Sequence, residues 1–325
     1  MNTIKWLIRR EFWENKGMLF WAPICVSLFL ILMIGGTAMY GITQHDLQGN
    51  FTVNGESTNA TDLVNHLTPE NKASLATALS AGFMFASAPI LIIFSLIVFF
   101  YFLGALYEER RDRSILFWKS LPVTDQQTVL SKLLTALVVA PLIAIGAALI
   151  TAYILLLLTC TALAFKGINV FGIVLSTPSL YLTPLQLVGL LPVYVLFALP
   201  TAGWLLLVSS WARSKVFLWA VVLPLLVVGT IAFAEYRSGL PLQSKWLFNE
   251  VIGRGLGGLF PGAWLSLEHV QPQRLIDSAQ HTASFSNVFT QSWGTLAGPN
   301  AWLGAAAGIG MIVGAIRIRR WREEA

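Results

Sequence analysis

The sequence predicts an all-α polytopic membrane protein with six transmembrane helices and both termini cytoplasmic. Three observations predict it. Hydrophobic residues make up 56% of the 325 and charged residues 11%, where soluble domains run near a quarter charged. Mean hydropathy is +0.69, so the chain has too little polar surface to cover a water-soluble fold, and an excess of apolar surface excludes intrinsic disorder. Six stretches, each long enough to cross a hydrocarbon core of about 30 Å, contain no Lys, Arg, Asp, Glu or His.

Residues 1–18 come first. Ile4, Leu7, Ile8 and Phe12 fall in one arc of a helical wheel, Lys5, Arg9 and Lys16 in another, and Trp6 and Trp13 lie seven apart. A helix with basic residues and aromatics so arranged suits the membrane interface, with Trp6, Arg9, Arg10, Phe12 and Trp13 meeting lipid. Glu11 is the misfit, because it falls in the apolar arc.

The spans follow at about 19–42, 80–106, 133–164, 184–211, 216–234 and 298–316. Helix is the reading because backbone groups in lipid must bond within their own segment, and the alternating pattern of a barrel is missing. The first span is too long for a cleavable signal and lacks its small-residue site. The third span, longer than a straight crossing needs, must tilt, kink near Pro141 or project beyond the bilayer. In the sixth span Gly304–Gly308 and Gly310–Gly314 permit close helix contact, within the subunit or between subunits.

Basic residues set the orientation. With the N-terminus inside, segments 1–18, 107–132, 212–215 and 317–325 are cytoplasmic and hold 15 of the 21 Lys and Arg. The net charge of +5 is thus a membrane-side bias, and no nucleic-acid partner is expected. The external loop 235–297 includes the apolar stretch Trp246–Leu267, whose Glu250 and Arg254 would each cost about 2.5–3.5 kcal/mol at mid-membrane. It reads as an interfacial or re-entrant piece, and the chain as one transmembrane domain spanning 1–325.

Several chemistries are disfavoured. Spans without ionisable groups argue against proton- or sodium-coupled transport and against intramembrane proteolysis. The four histidines lie in external loops at spacings that match no zinc motif, so no metal site is assigned. Cys25 and Cys160 fall at different depths, too far apart to bridge. Gly253-Arg-Gly255-Leu-Gly257-Gly258 fits G-x-G-x-x-G but lacks the strand that a dinucleotide site needs. With no phosphate-binding loop, the chain is expected to be no enzyme and to bind no cofactor. No internal repeat of the kind found in many secondary transporters is visible.

Residues 107–132 are the most informative. Glu108-Glu109-Arg110-Arg111-Asp112-Arg113 is followed by an apolar patch with Ile115, Phe117 and Trp118, then Lys119 and Pro122. Thr124-x-x-Gln127 is a capping-box pattern opening the third span. A charged start and an aromatic patch suit docking into a groove on another protein. Together with Arg9-Arg10-Glu11-Phe12-Trp13-Glu14-Asn15 and six spans, this segment resembles the permeases of type-2 ATP-binding-cassette (ABC) exporters. The resemblance covers the chain in topology, and in residues mainly positions 1–23 and 107–132.

It implies an N-terminal elbow helix, a coupling helix within 107–132, and an assembly of two permease subunits, as a homo- or heterodimer, with two ATPase subunits. ATP and Mg would bind the partner ATPase. Glu108 to Arg113 would make charged contacts with it, while Phe117 and Trp118 would be buried at the contact centre. The expected location is the inner membrane of a bacterium, with lipid and a periplasmic partner for the external loop as further contacts. A non-transporting subunit or anchor relaying ATPase motion outward, or a sensor, is the alternative, ahead of an ion-coupled secondary transporter.

Overall fold

The computed structural model describes residues 3–44, 51–53, 56–58, 69–112, 123–166, 168–276 and 284–321. Nearly all of these are helical. Six helices are long and apolar enough to cross a membrane: Gly17–Gly41, Thr77–Arg111, Asp125–Phe165, Ser179–Trp211, Leu218–Ser238 and Pro299–Trp321, spans 1 to 6 below. They overlap the six charge-free stretches. A helix at Thr3–Glu14 precedes span 1. The only strands among the described residues are Phe51–Val53 and Glu56–Thr58, paired antiparallel on either side of Asn54-Gly55.

Prolines shape the spans. Pro23, Pro141 and Pro224 each follow a π-helical turn, at Gly17–Trp21, Thr135–Val139 and Leu218–Val222. A proline supplies no N–H to the preceding turn, and a wider turn accommodates the freed carbonyls. Span 3 therefore deforms just before Pro141. It also projects: its 41 residues reach about 60 Å at 1.5 Å per residue, twice the hydrocarbon thickness. Span 2 is divided at Ser87, two residues before Pro89, into helices Pro69–Ala86 and Ala88–Gly104.

Spans 2, 3 and 4 form the centre. About half of the most apolar stretch of each is buried, against 11% of that of span 5 and 17% of that of span 1. The main core joins Phe94, Val98 and Phe102 of span 2, Ala136 and Ala140 of span 3, and Val193, Phe197, Leu205 and Leu206 of span 4. Large apolar side chains on the outside, among them Leu28, Phe29, Leu32, Leu226 and Phe233, give spans 1 and 5 the surface of helices that face lipid.

Span 6 packs on span 4 at backbone distance. A Cβ on Gly308 would lie 2.5 Å from the carbonyl carbon and oxygen of Leu199, and Gly203 faces the Gly308 carbonyl in the same way. Gly304 meets Pro200 and Gly314 meets Leu207, while Gly310 faces open space. Three of the four glycines read from the sequence thus make an intrasubunit contact.

The apolar stretch Trp246–Leu267 does not form a span. It is broken into helical pieces at Leu247–Gly253, Arg254–Gly257 and Ala263–Leu267, with a left-handed residue at Gly262 (φ +78). The turn that follows Arg254–Gly257 packs tightly on span 4: a side chain at Gly258 would strike the Phe197 carbonyl. Cys25 and Cys160 are free, the first exposed on span 1 and the second buried against Leu156 and Val174.

Candidate functional site

At the end of the bundle where the described chain begins and ends, five ionisable side chains from four elements meet. Lys132, near the start of span 3, lies 2.8 Å from Glu11 of the N-terminal helix and 3.0 Å from Glu109. The second oxygen of Glu109 lies 2.9 Å from Arg319 near the end of span 6, whose Nε is 3.2 Å from Asp125. Tyr101 donates to Glu11 at 2.8 Å, and Asn15 donates to the same oxygen at 3.3 Å. Lys132, Glu11 and Arg319 are each no more than 6% exposed at the side chain. Three carboxylates against two cations leave one net negative charge.

Local sequence explains how these groups arrive. Span 3 begins with a complete capping box: Thr124 Oγ1 accepts from Gln127 N–H, and Gln127 Oε1 accepts from Thr124 N–H. That start sets the phase of the helix, so that Asp125 and Lys132, two turns apart, both reach the cluster. Glu11 comes from the inward face of Thr3–Glu14, whose buried residues are Leu7 and Glu11. The apolar arc of the sequence is therefore the packed face, and its acidic misfit is the residue that meets Lys132.

The helix Tyr107–Arg111 is held from the other side by span 4. Ser209 Oγ accepts from the N–H groups of Leu106 and Tyr107 at 3.1 and 3.0 Å, so a hydroxyl a hundred residues away supplies its N-terminal cap. Arg110 donates to the carbonyls of Ser209 and Ala212, the latter at 3.0 Å. Glu109 and Arg110 are thus engaged within the chain, whereas Glu108, Arg111 and Asp112 are exposed. Arg113, Ile115, Phe117, Trp118 and Lys119 lie outside the described residues. Beside the cluster a polar cleft of about 600 Å³ opens between Arg10, Glu14, Glu108 and Asp112.

On the N-terminal helix, Trp6, Arg9 and Trp13 are exposed along one face, and Arg10 pairs with Glu14 at 2.6 Å. The Lys16 ammonium lies 4.6 Å from the centre of the Trp13 ring. Phe12 packs edge-on against Phe20 of span 1.

A second buried ionic group lies in the broken helix of the loop. Arg254 is held between Glu250 at 2.6 Å and Glu268 at 2.9 Å, and its carbonyl accepts from Thr201 of span 4. Burial opposes the charge of Arg254, but hydrogen bonds and Coulomb attraction from the two carboxylates outweigh it and hold its pKa above the ordinary value. Among the described residues no three His, Cys, Asp or Glu side chains are grouped to hold a metal ion.

Neither a family model, nor a curated protein, nor a solved structure matches this chain. Fold and composition define its class: an all-α, polytopic integral membrane protein.

Proposed function

We propose that the chain is the permease subunit of an ABC exporter, driven by a separate ATPase that docks on residues 107–122. The observation that carries the reading is the ionic cluster around Lys132. A segment that receives motion from an ATPase must be mechanically joined to the helices it moves. Glu109, four residues before the start of 113–122, is ion-paired with Lys132 of span 3 and with Arg319 of span 6, and Arg110 next to it donates to the Ser209 carbonyl of span 4. Displacement of the docking segment would therefore reach three spans and the N-terminal helix together.

In this reading both termini are cytoplasmic in a bacterial inner membrane, and Thr3–Glu14 lies in the interface with Trp6, Arg9 and Trp13 against lipid. Glu108, Arg111 and Asp112, which are exposed, supply the charged contacts to the ATPase, and Phe117 and Trp118 supply the apolar anchor. The sparsely buried spans 1 and 5 leave room for lipid and a second permease subunit. Spans without charge suit an apolar or amphipathic substrate.

The test is purification of a C-terminally tagged chain from native membranes in mild detergent, beside a Phe117→Asp/Trp118→Asp control. A Walker-motif ATPase retained in stoichiometric amount by the wild type and lost from the control is the expected result. Absence of any ATPase from the wild type, under conditions that preserve other membrane complexes, would overturn the reading.

A further inference from the structure

A cavity of about 760 Å³ lies among spans 2, 3 and 4 and residues 261–264 and 284–288. Its lining includes residues 77–95 of span 2, 141–148 of span 3 and 182–194 of span 4, each well removed along its helix from the ionic cluster. The volume falls within the ordinary range for a small-molecule site, about 300–1,000 Å³. None of its lining residues is charged. Phe85, Ile92 and Leu182 of the lining are exposed apolar side chains, and they belong to spans 2 and 4. Deeper in the lining come Phe94, Trp264 and Tyr194, all buried.

The polar groups of the lining are unequal. Ser87, Ser95 and Thr183 donate their hydroxyls to carbonyls of their own helices, at 2.7, 2.8 and 2.7 Å, so their protons are spent. Tyr194 is 8% exposed, and its hydroxyl has no hydrogen-bond partner among the described residues. A buried hydroxyl without a partner is unfavourable, and an acceptor oxygen on a molecule seated between these apolar spans would supply one. Hydrocarbon alone would fill the space but leave that proton unbonded.

We infer that the cavity takes one acyl chain of an ester-linked amphiphile from the bilayer, with Tyr194 donating to its carbonyl oxygen. Lipid tails are as apolar as the cavity wall, so entry gains no hydrophobic free energy. Close packing in a preformed space and the hydrogen bond must select the ligand. Gln186 adds a carboxamide to the same lining. The inference needs only a chain embedded in a bilayer and is independent of the ATPase.

The test is photolabelling of the purified full chain in vesicles of phosphatidylethanolamine and phosphatidylglycerol. One probe is a phosphatidylcholine with a diazirine in its acyl chain, the other a diazirine alkane with no carbonyl. Labelling by the phospholipid should concentrate on 77–95 and 182–194. Tyr194→Phe should weaken it about five- to tenfold, the loss of one neutral hydrogen bond, and leave the alkane unaffected. Gly82→Phe should abolish labelling by both, since a side chain there enters the cavity lining and its Cβ meets no atom within 4 Å; Leu182→Trp, at an exposed position of the lining, is the second blocking variant. Lipid extracted from protein purified out of native membranes separates the sources: a phospholipid marks a bilayer ligand, another acylated amphiphile a cargo. Labelling spread equally over span 5, or labelling of the cavity segments unchanged by both blocking variants, would overturn the inference.

Discussion

Lys132→Met tests the ionic cluster directly. The substitution keeps a long unbranched side chain in a site where Lys132 is 6% exposed and removes one cation that lies within 3.0 Å of two carboxylates. Glu109 would retain Arg319, but Glu11 would keep only the neutral donors Tyr101 and Asn15. Removing one partner of a buried ion pair costs about 3–5 kcal/mol, because the remaining charge has lost its compensation. At about 2 °C per kcal/mol for a large domain, the unfolding midpoint in detergent should fall by about 6–10 °C. Tryptophan fluorescence can follow it, with 12 tryptophans in the chain. The double variant Lys132→Met/Glu11→Leu replaces the pair by apolar groups and should recover most of the loss, giving a coupling of roughly 2 kcal/mol or more between the two positions. A single-variant shift below about 2 °C, or a double variant no more stable than the single, would refute the claim that Lys132 compensates the charge of Glu11.

The other predictions concern different joints of the fold. Gly308→Ala should cost about 1–3 kcal/mol by forcing spans 4 and 6 apart, whereas Gly310→Ala, which meets nothing within 4 Å, should stay within about 0.5 kcal/mol of wild type; midpoints in detergent compare them. Thr124→Ala should lose about 1 kcal/mol by opening the capping box of span 3, measured in the same way. Arg254→Gln should destabilise the chain by about 3 kcal/mol or more by leaving Glu250 and Glu268 without their cation. The pH dependence of that difference has a definite sign. A basic group whose folded pKa is raised, as that of Arg254 is, contributes its stability in full below the unfolded pKa and loses it only as pH rises through the folded one. The gap between wild type and Arg254→Gln should therefore be flat from about pH 6 to 10, as read by unfolding midpoints across that range.

Part of the candidate site is visible in the primary structure. The run Glu108–Arg113 marks a charged segment before a span, and Thr124-x-x-Gln127 marks where that span begins, because capping depends on side chains three residues apart. The partners of Glu109 are not visible. Lys132 and Arg319 look like ordinary basic flanks of spans 3 and 6, and nothing in their neighbourhoods says that they turn inward. Glu11 offered the one local sign, an acid in an apolar arc, since a carboxylate on a packed face needs a cation from elsewhere. Which cation it would be depends on the packing of helices more than a hundred residues apart.

The amino-acid sequence alone determined that this chain is helical and lies in a membrane, because hydropathy over some twenty residues and the absence of charge are local properties. It also set the start of span 3 and the deformation before Pro141, which arise within a few residues. Tertiary structure decided the rest. Spans 2, 3 and 4 became the core and spans 1 and 5 the periphery, although all are comparably apolar, because in lipid no hydrophobic difference tells a buried apolar face from an exposed one. Close approach at Gly203 and Gly308, and the long-range pairing of Glu11, Glu109, Asp125, Lys132 and Arg319, supplied the discrimination that hydropathy could not.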